Sequence, residues 1–262
     1  MKLRTFLLVF AIAILAVPAT AQTVDELLAK NYAARGGLDK LRAVKSIVIT
    51  GRLEVSPEMQ APFTIHLKRP NQLAMEFTVQ GMTAKQVYDG KSGWQIMPFN
   101  GKNDPEPMSA DDLKDAAEQA DIDGPLVDYK KKGNQIELAG KEDVEGSPAY
   151  KLKVTLGNGD IQYQYLDASS FLEVKEESMR TVQGAERDVE TTIGGYKEVQ
   201  GLYYPFVQES SIRDGTSKQK VIVEKIELNV PVDDSVFKMP APPPADTKPE
   251  KKKPEESKPP EA

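Results

Sequence analysis

Cysteine is absent from this chain of 262 residues, and histidine and tryptophan occur once each. The first absence excludes disulfides, thiolate metal sites and cysteine nucleophiles. With His66 as the sole histidine, no histidine-rich metal site can form. A Ser-His-Asp triad would have to use His66, and no nucleophile-elbow motif accompanies it. His66 falls out of step with Phe63, Ile65 and Leu67, which predicts an ordinary histidine facing water. A phosphate-cradling loop is missing too, because Gly36-Gly37 and Gly194-Gly195 lack the flanking motif. The chain has no excess of basic residues: 34 Lys and Arg stand against 40 Asp and Glu, for a net charge of −6. That balance argues against general nucleic-acid binding, which needs a basic surface for phosphate. Neither catalysis, a metal nor a cofactor has a candidate constellation, so the expectation is a protein that binds rather than an enzyme.

What is present begins at the N-terminus. Lys2 and Arg4 form a positive start, Leu3 and Phe6 to Val17 an apolar run, and Ala19-Thr20-Ala21 a small-residue cleavage site. This predicts a signal peptide over 1–21, removed before Gln22. No cysteine follows to carry a lipid, so the expected product is soluble and unacylated in the periplasm. No later apolar run is long enough to cross a bilayer. Residues 22–240 are expected to form one domain. Ala241 to Ala262 is Pro, Lys and Glu without a large apolar residue, which predicts a disordered tail.

Within 22–240 the period changes several times. Thr23, Glu26 and Gly36-Gly37 predict a capped helix over Val24 to Arg35, with a short helical piece over Leu38 to Ala43. From Ser46 the pattern alternates in twos. Phe63, Ile65 and Leu67 share one face of their strand, as do Leu73, Met75, Phe77 and Val79 of the next. Gly93 to Pro98 reads as a strand carrying Trp94 and Ile96. Asn100 to Pro107 reads as a loop. Ser109 to Ala120 reads as a helix with an apolar stripe at Leu113, Ala116, Ala117 and Ala120, and Ile122 to Lys131 as further helical turns. Strands then resume to Asn229, with Asn158-Gly159 the strongest hairpin signal and Gly194-Gly195 a bend in a long strand. About eleven strands in sequence favour a closed or nearly closed antiparallel barrel with a helical insertion.

Two features stand apart. Arg69 falls on the apolar face of Phe63, Ile65 and Leu67. A charge there either is paired at a wet cavity or lies solvated in a turn before Pro70, and the pattern alone leaves both open. Met75, Met82, Met97 and Met108 gather in the same half of the chain as Phe63, Phe77, Trp94 and Phe99. That reads either as an ordinary core or as an adaptable surface for varied apolar partners.

Over Phe63 to Phe99 the chain resembles the Lol-type carriers that move lipoproteins across the periplasm. The matching residues are Arg69-Pro70-Asn71, Asp89-Gly90-Lys91 with Trp94, and Pro98-Phe99; near the end, Phe237-Lys238-Met239-Pro240 is similar to the family's terminal element. The resemblance implies an unclosed antiparallel β-barrel of about eleven strands covered by a helical lid. It implies an acyl cavity, for which Phe63, Ile65, Leu67, Met75, Phe77, Trp94, Ile96, Phe99 and Leu113 are the expected lining. It makes Arg69 the latch that holds the lid closed through backbone carbonyls of the helical insertion. The implied cargo is an acylated lipoprotein or a lipid, carried by a monomer between an inner-membrane release complex and an outer-membrane acceptor. A lipid sensor on the same fold is the alternative. The Pro/Lys/Glu tail and an Ala-rich lid helix depart from the family pattern.

Overall fold

The computed structural model describes residues 22–240 except 57, 58, 183, 184, 214, 216 and 217. The leader expected over 1–21 and the tail expected over 241–262 lie outside the described residues. Helix α1, Val24–Ala34, opens with the expected reciprocal cap. The Glu26 N–H donates to Thr23 Oγ1 at 3.2 Å, and the Thr23 N–H donates to the Glu26 carboxylate at 2.9 Å. Gly36 ends it with φ +107°, and a Cβ there would lie 2.3 Å from the Gly201 carbonyl oxygen, so only glycine fits. Helix α2 follows at Leu38–Ala43.

The first run of strands comprises β1 (Ser46–Ser56), β2 (Met59–Lys68), β3 (Gln72–Val79), β4 (Met82–Tyr88), β5 (Gly93–Met97) and β6 (Lys102–Pro107). Helix α3, Ala110–Gln119, is the insertion, with Ser109 Oγ accepting from the Asp112 N–H at its start. The second run comprises β7 (Gln135–Val144), β8 (Ser147–Thr155), β9 (Ile161–Asp167), β10 (Glu173–Val182) and β11 (Ala185–Gly194). A two-stranded ribbon, β12 (Lys197–Val199) with β13 (Leu202–Tyr204), precedes β14 (Val207–Ile212) and β15 (Lys218–Leu228).

Thirteen of these strands form one antiparallel sheet in the order β6-β5-β4-β3-β2-β1-β15-β14-β11-β10-β9-β8-β7. The β1–β15 pair joins the two runs, and its register shifts between Thr50 and Gly51. A Cβ on Gly51 would sit 2.2 Å from the Ile222 carbonyl oxygen, so the bulge at this seam depends on glycine. The end strands β6 and β7 do not pair with each other, and the sheet stays unclosed. Edge strand β6 is blunted by Pro105 and Pro107 and by three charged side chains, Lys102, Asp104 and Glu106.

Register sorts the side chains onto two faces. Ile65, Met75, Gln86 and Gln95 stand in one cross-strand row, and His66, Ala74, Val87 and Trp94 in the adjacent row on the other face. The inner face is covered by the helices. One core joins Leu41 and Val44 to Leu67, Leu73 and Tyr88 of the first run and Ala116 of α3. A second joins Leu27 and Leu28 of α1 to Leu152, Val154 and Leu166 of the second run. On the outer face, Ala74, Val87 and Trp94 are covered by Phe237, which is 2% exposed in the C-terminal 3-10 turn Asp234–Phe237.

Several expectations are corrected here. The strand count is higher than about eleven, for three reasons. Lys102–Pro107, read as a loop, pairs with β5; the long strand at Gly194-Gly195 breaks into β11 and β12; and the alternating stretch from Tyr203 to Arg213 breaks into β13 and β14. Ile122 to Lys131 forms turns rather than helix. His66 is half-buried rather than facing water. Its Nδ1 has no hydrogen-bond partner among the described residues, and burial pushes its pKa below the ordinary imidazole value while nearby Glu76 opposes.

Candidate functional site

The turn between β2 and β3 carries Arg69-Pro70-Asn71. The Arg69 side chain extends across the inner end of the sheet and makes four hydrogen bonds. Its Nε donates to the Val44 carbonyl at 2.5 Å and its Nη2 to the Leu41 carbonyl at 3.2 Å. Its Nη1 and Nη2 each donate to a carboxylate oxygen of Asp123 at 2.7 Å. This is a planar fork-to-fork pair, the strongest geometry available to a guanidinium and a carboxylate. The bond to Asp123 raises the Arg69 pKa above its ordinary value. Asp123 is 8% exposed at its side chain and lies just beyond α3. Asn71 adds a second clip, donating from Nδ2 to the Ala117 carbonyl of α3 at 3.1 Å. The arginine's carbonyl partners thus come from α2 and the residue after it, not from the insertion. The insertion contributes a carboxylate instead.

Helix α3 is also held on its far side. Arg180 of β10 pairs with Asp115 at 3.2 Å and with Glu118. Lys114 pairs with Asp160 at 2.7 Å. Near its start, the Gln95 amide donates to Asp112 at 3.3 Å. The helix therefore bridges β5 and β10 across the inner face. Burial pushes the Glu118 carboxyl above its ordinary range although Arg180 opposes, and burial does the same to Asp121 although Lys132 opposes.

Beside this lid lies apolar surface. Phe63 stands opposite Phe77, and Ile65 opposite Met75, with Leu67 further along the same face. Phe99, 38% exposed, stacks on Phe77 with ring centroids 5.8 Å apart. Ile65, Met75 and Phe77 remain half-buried. Leu113 of α3 packs against the core that contains Leu67. Trp94 and Ile96 are not part of this surface: they lie on the outer face with Val87 and Phe237. The sequence pattern gave apolar character at both positions, but their cover is a contact with the distant C-terminal turn. Exposed Met82, opposite Val79, and exposed Met59 continue the apolar strip to the hairpin ends.

The other flank of α3 borders an open cavity of about 780 Å³, whose wall mixes apolar surface from Pro70, Ala117, Pro125 and Leu156 with Arg69, Glu118, Asp121, Lys132, Gln162 and Arg180. Asp123, Arg180 and Gln162 were not singled out from the sequence, and Asn71 only as part of the matching Arg69-Pro70-Asn71. The alternation of Tyr163 and Tyr165 with Gln162 and Gln164 was legible, but which pair looks inward was not. The glutamines do, each 4% exposed, while Tyr165 lies on the outer face beneath Lys151 and Lys175. Among the described residues no cluster of His, Asp or Glu could hold a metal ion, and no helix is long and apolar enough to cross a membrane.

An open antiparallel sheet with a clipped helical lid over a part-apolar inner face defines the class. No protein-family model matches the chain, and no curated protein matches it. Solved structures do. A LolA-superfamily protein from Nitrosomonas europaea is similar over 83% of this chain and 98% of its own, with a TM-score of 0.56 at 14% identity. A DUF1329-family protein from Desulfovibrio piger covers 79% and 95%, with a TM-score of 0.55 at 12% identity. A candidate outer-membrane lipoprotein-sorting domain from Vibrio parahaemolyticus covers 82% and 97%, with a TM-score of 0.53 at 11% identity. The chain has a divergent LolA-like fold.

Proposed function

We propose that this protein is a periplasmic carrier that shields the acyl chains of a lipoprotein or lipid on its inner face and passes them towards the outer membrane. The observation that carries the reading is the strip of half-buried Ile65, Met75 and Phe77 with exposed Phe99, beside a helix fastened by Arg69 and Asn71. An apolar strip of that kind takes up hydrocarbon, and each buried CH2 contributes about 0.8 kcal/mol. A lid fastened by a few hydrogen bonds opens without unfolding the sheet. Binding and release therefore need no chemical step. The LolA-like fold supports the reading, and so does the lipoprotein-sorting role named for one structural neighbour. The expected N-terminal signal peptide would deliver the chain to the same compartment.

A fluorescent fatty-acid probe tests it. Replacing Met75 and Phe77 together by serine should weaken probe binding at least about tenfold, because roughly 1.5–3 kcal/mol goes with each large apolar side chain lost from a contact. Trp94→Phe on the outer face should bind like the parent. Equal affinities in all three proteins would overturn the assignment of the inner strip.

A further inference from the structure

We infer that the cavity beside α3 receives an uncharged, hydrogen-bonding head group of the acylated ligand; the inference rests on the carrier reading above. The cavity shares the inner face with the apolar strip and lies on the opposite flank of the lid. Its wall carries both signs of charge, but each charge is already matched. Arg69 is taken by Asp123, Lys132 by Asp121, Lys114 by Asp160, and Arg180 by Glu118, Asp115 and Glu176. A phosphate entering here would find no free cation among the described residues, and would have to break an ion pair or stay unpaired in a partly desolvated site.

What the wall does offer is neutral. Gln162 is 4% exposed, yet its amide makes no hydrogen bond to any described residue, in contrast to its neighbour Gln164, which donates to Glu176 at 2.9 Å. The Gln162 amide has both a donor and an acceptor to give, and it borders the cavity. Asn71, whose Nδ2 is committed to Ala117 and whose side-chain oxygen accepts from no described residue, lines the same cavity. A donor, two acceptors and no unmatched charge suit hydroxyl or amide groups, such as those of a sugar head group or of the blocked peptide start of a lipoprotein.

Three ligands with the same two acyl chains separate the possibilities: a galactosyl diacylglycerol, an N-acylated and C-amidated lipopeptide, and phosphatidylglycerol. At least one of the neutral pair should bind at least about tenfold tighter than phosphatidylglycerol, and the tighter of the two identifies the source of the head group. Gln162→Leu should lower that affinity about three- to tenfold while leaving the phosphatidylglycerol affinity unchanged. Gln162→Asn, which keeps an amide but shortens its reach, should fall between, and thermal melting checks that each variant is folded. Equal binding of all three ligands, indifferent to Gln162, would overturn the inference and leave the carrier reading intact. Binding of none would overturn both.

Discussion

The guanidinium of Arg69 bonds two separate segments at once: the end of α2 with the residue after it, and Asp123 beyond the lid helix. Hydrogen bonds to a charged partner contribute roughly 1.5–3 kcal/mol, and a loss of that size shifts a two-state balance by about one to two powers of ten. Asp123, at 8% side-chain exposure, would be left without its cation. Arg69→Leu should therefore speed hydrogen–deuterium exchange of the α3 amides by ten- to a hundredfold. Arg69→Lys should be intermediate, since an ammonium cannot reproduce the fork. Arg52 is the control. It pairs with Glu54 and Glu224 in water, where ion pairs contribute little, so Arg52→Leu should leave α3 exchange unchanged. Parent-like exchange in Arg69→Leu would show that the arginine does not hold the lid. At this scale the sequence went halfway. An arginine in phase with Phe63, Ile65 and Leu67 signalled a paired charge or a turn, but its partner lies 54 positions away, and no local pattern encodes that distance.

Among the elements, α2 and the turn segment after α3 are joined by Arg42 and Asp128, which form a two-pronged ion pair. The Arg42 hydrogen bonds hold the Asp128 carboxyl down to about 2, from an ordinary 3.8, against a smaller opposing effect of burial. In a folded chain with a depressed acid, the unfolded state binds the extra proton between those two values. The stabilisation is thus complete above pH 3.8 and disappears as the pH falls towards 2. Glu118 and Asp121 act in the opposite sense. Burial raises both, so the folded state holds protons that the unfolded state has released, and stability rises as the pH falls through their raised values towards 4.5 and 3.8. Asp128→Asn should accordingly narrow the difference in urea stability between pH 7 and pH 3. An unchanged difference would mean the Arg42 pair does not form in solution. Element by element, the strands with one wet face were the legible ones, because alternation survives wherever half the residues meet water. The β6 strand was not, since its two prolines and its charges are the features that keep a sheet edge from pairing further. Trp94 and Ile96 were assigned to the wrong face because alternation separates two faces without naming the inner one. Phe237, far along the chain, covers their side of the sheet.

The molecule as a whole is an unclosed sheet of thirteen strands with its inner face divided in two. The half built from β2 and β3 is apolar. The half built from β9 and β10 presents Gln162, Gln164, Glu176 and Arg180. Between them lies α3, clipped to both. A barrel sealed around its core would have no such division, and here Phe99 stays exposed against Phe77 beside the fastened helix. The architecture suits an amphiphile laid across the inner face, with hydrocarbon on one side of the lid and the polar end on the other. Native mass spectrometry of the protein recovered from incubation with mixed-lipid vesicles tests this most directly. One diacylated ligand bound per chain, lost from the protein with Met75 and Phe77 replaced by serine, is the predicted result. The unliganded mass alone, at every vesicle concentration, would contradict the account.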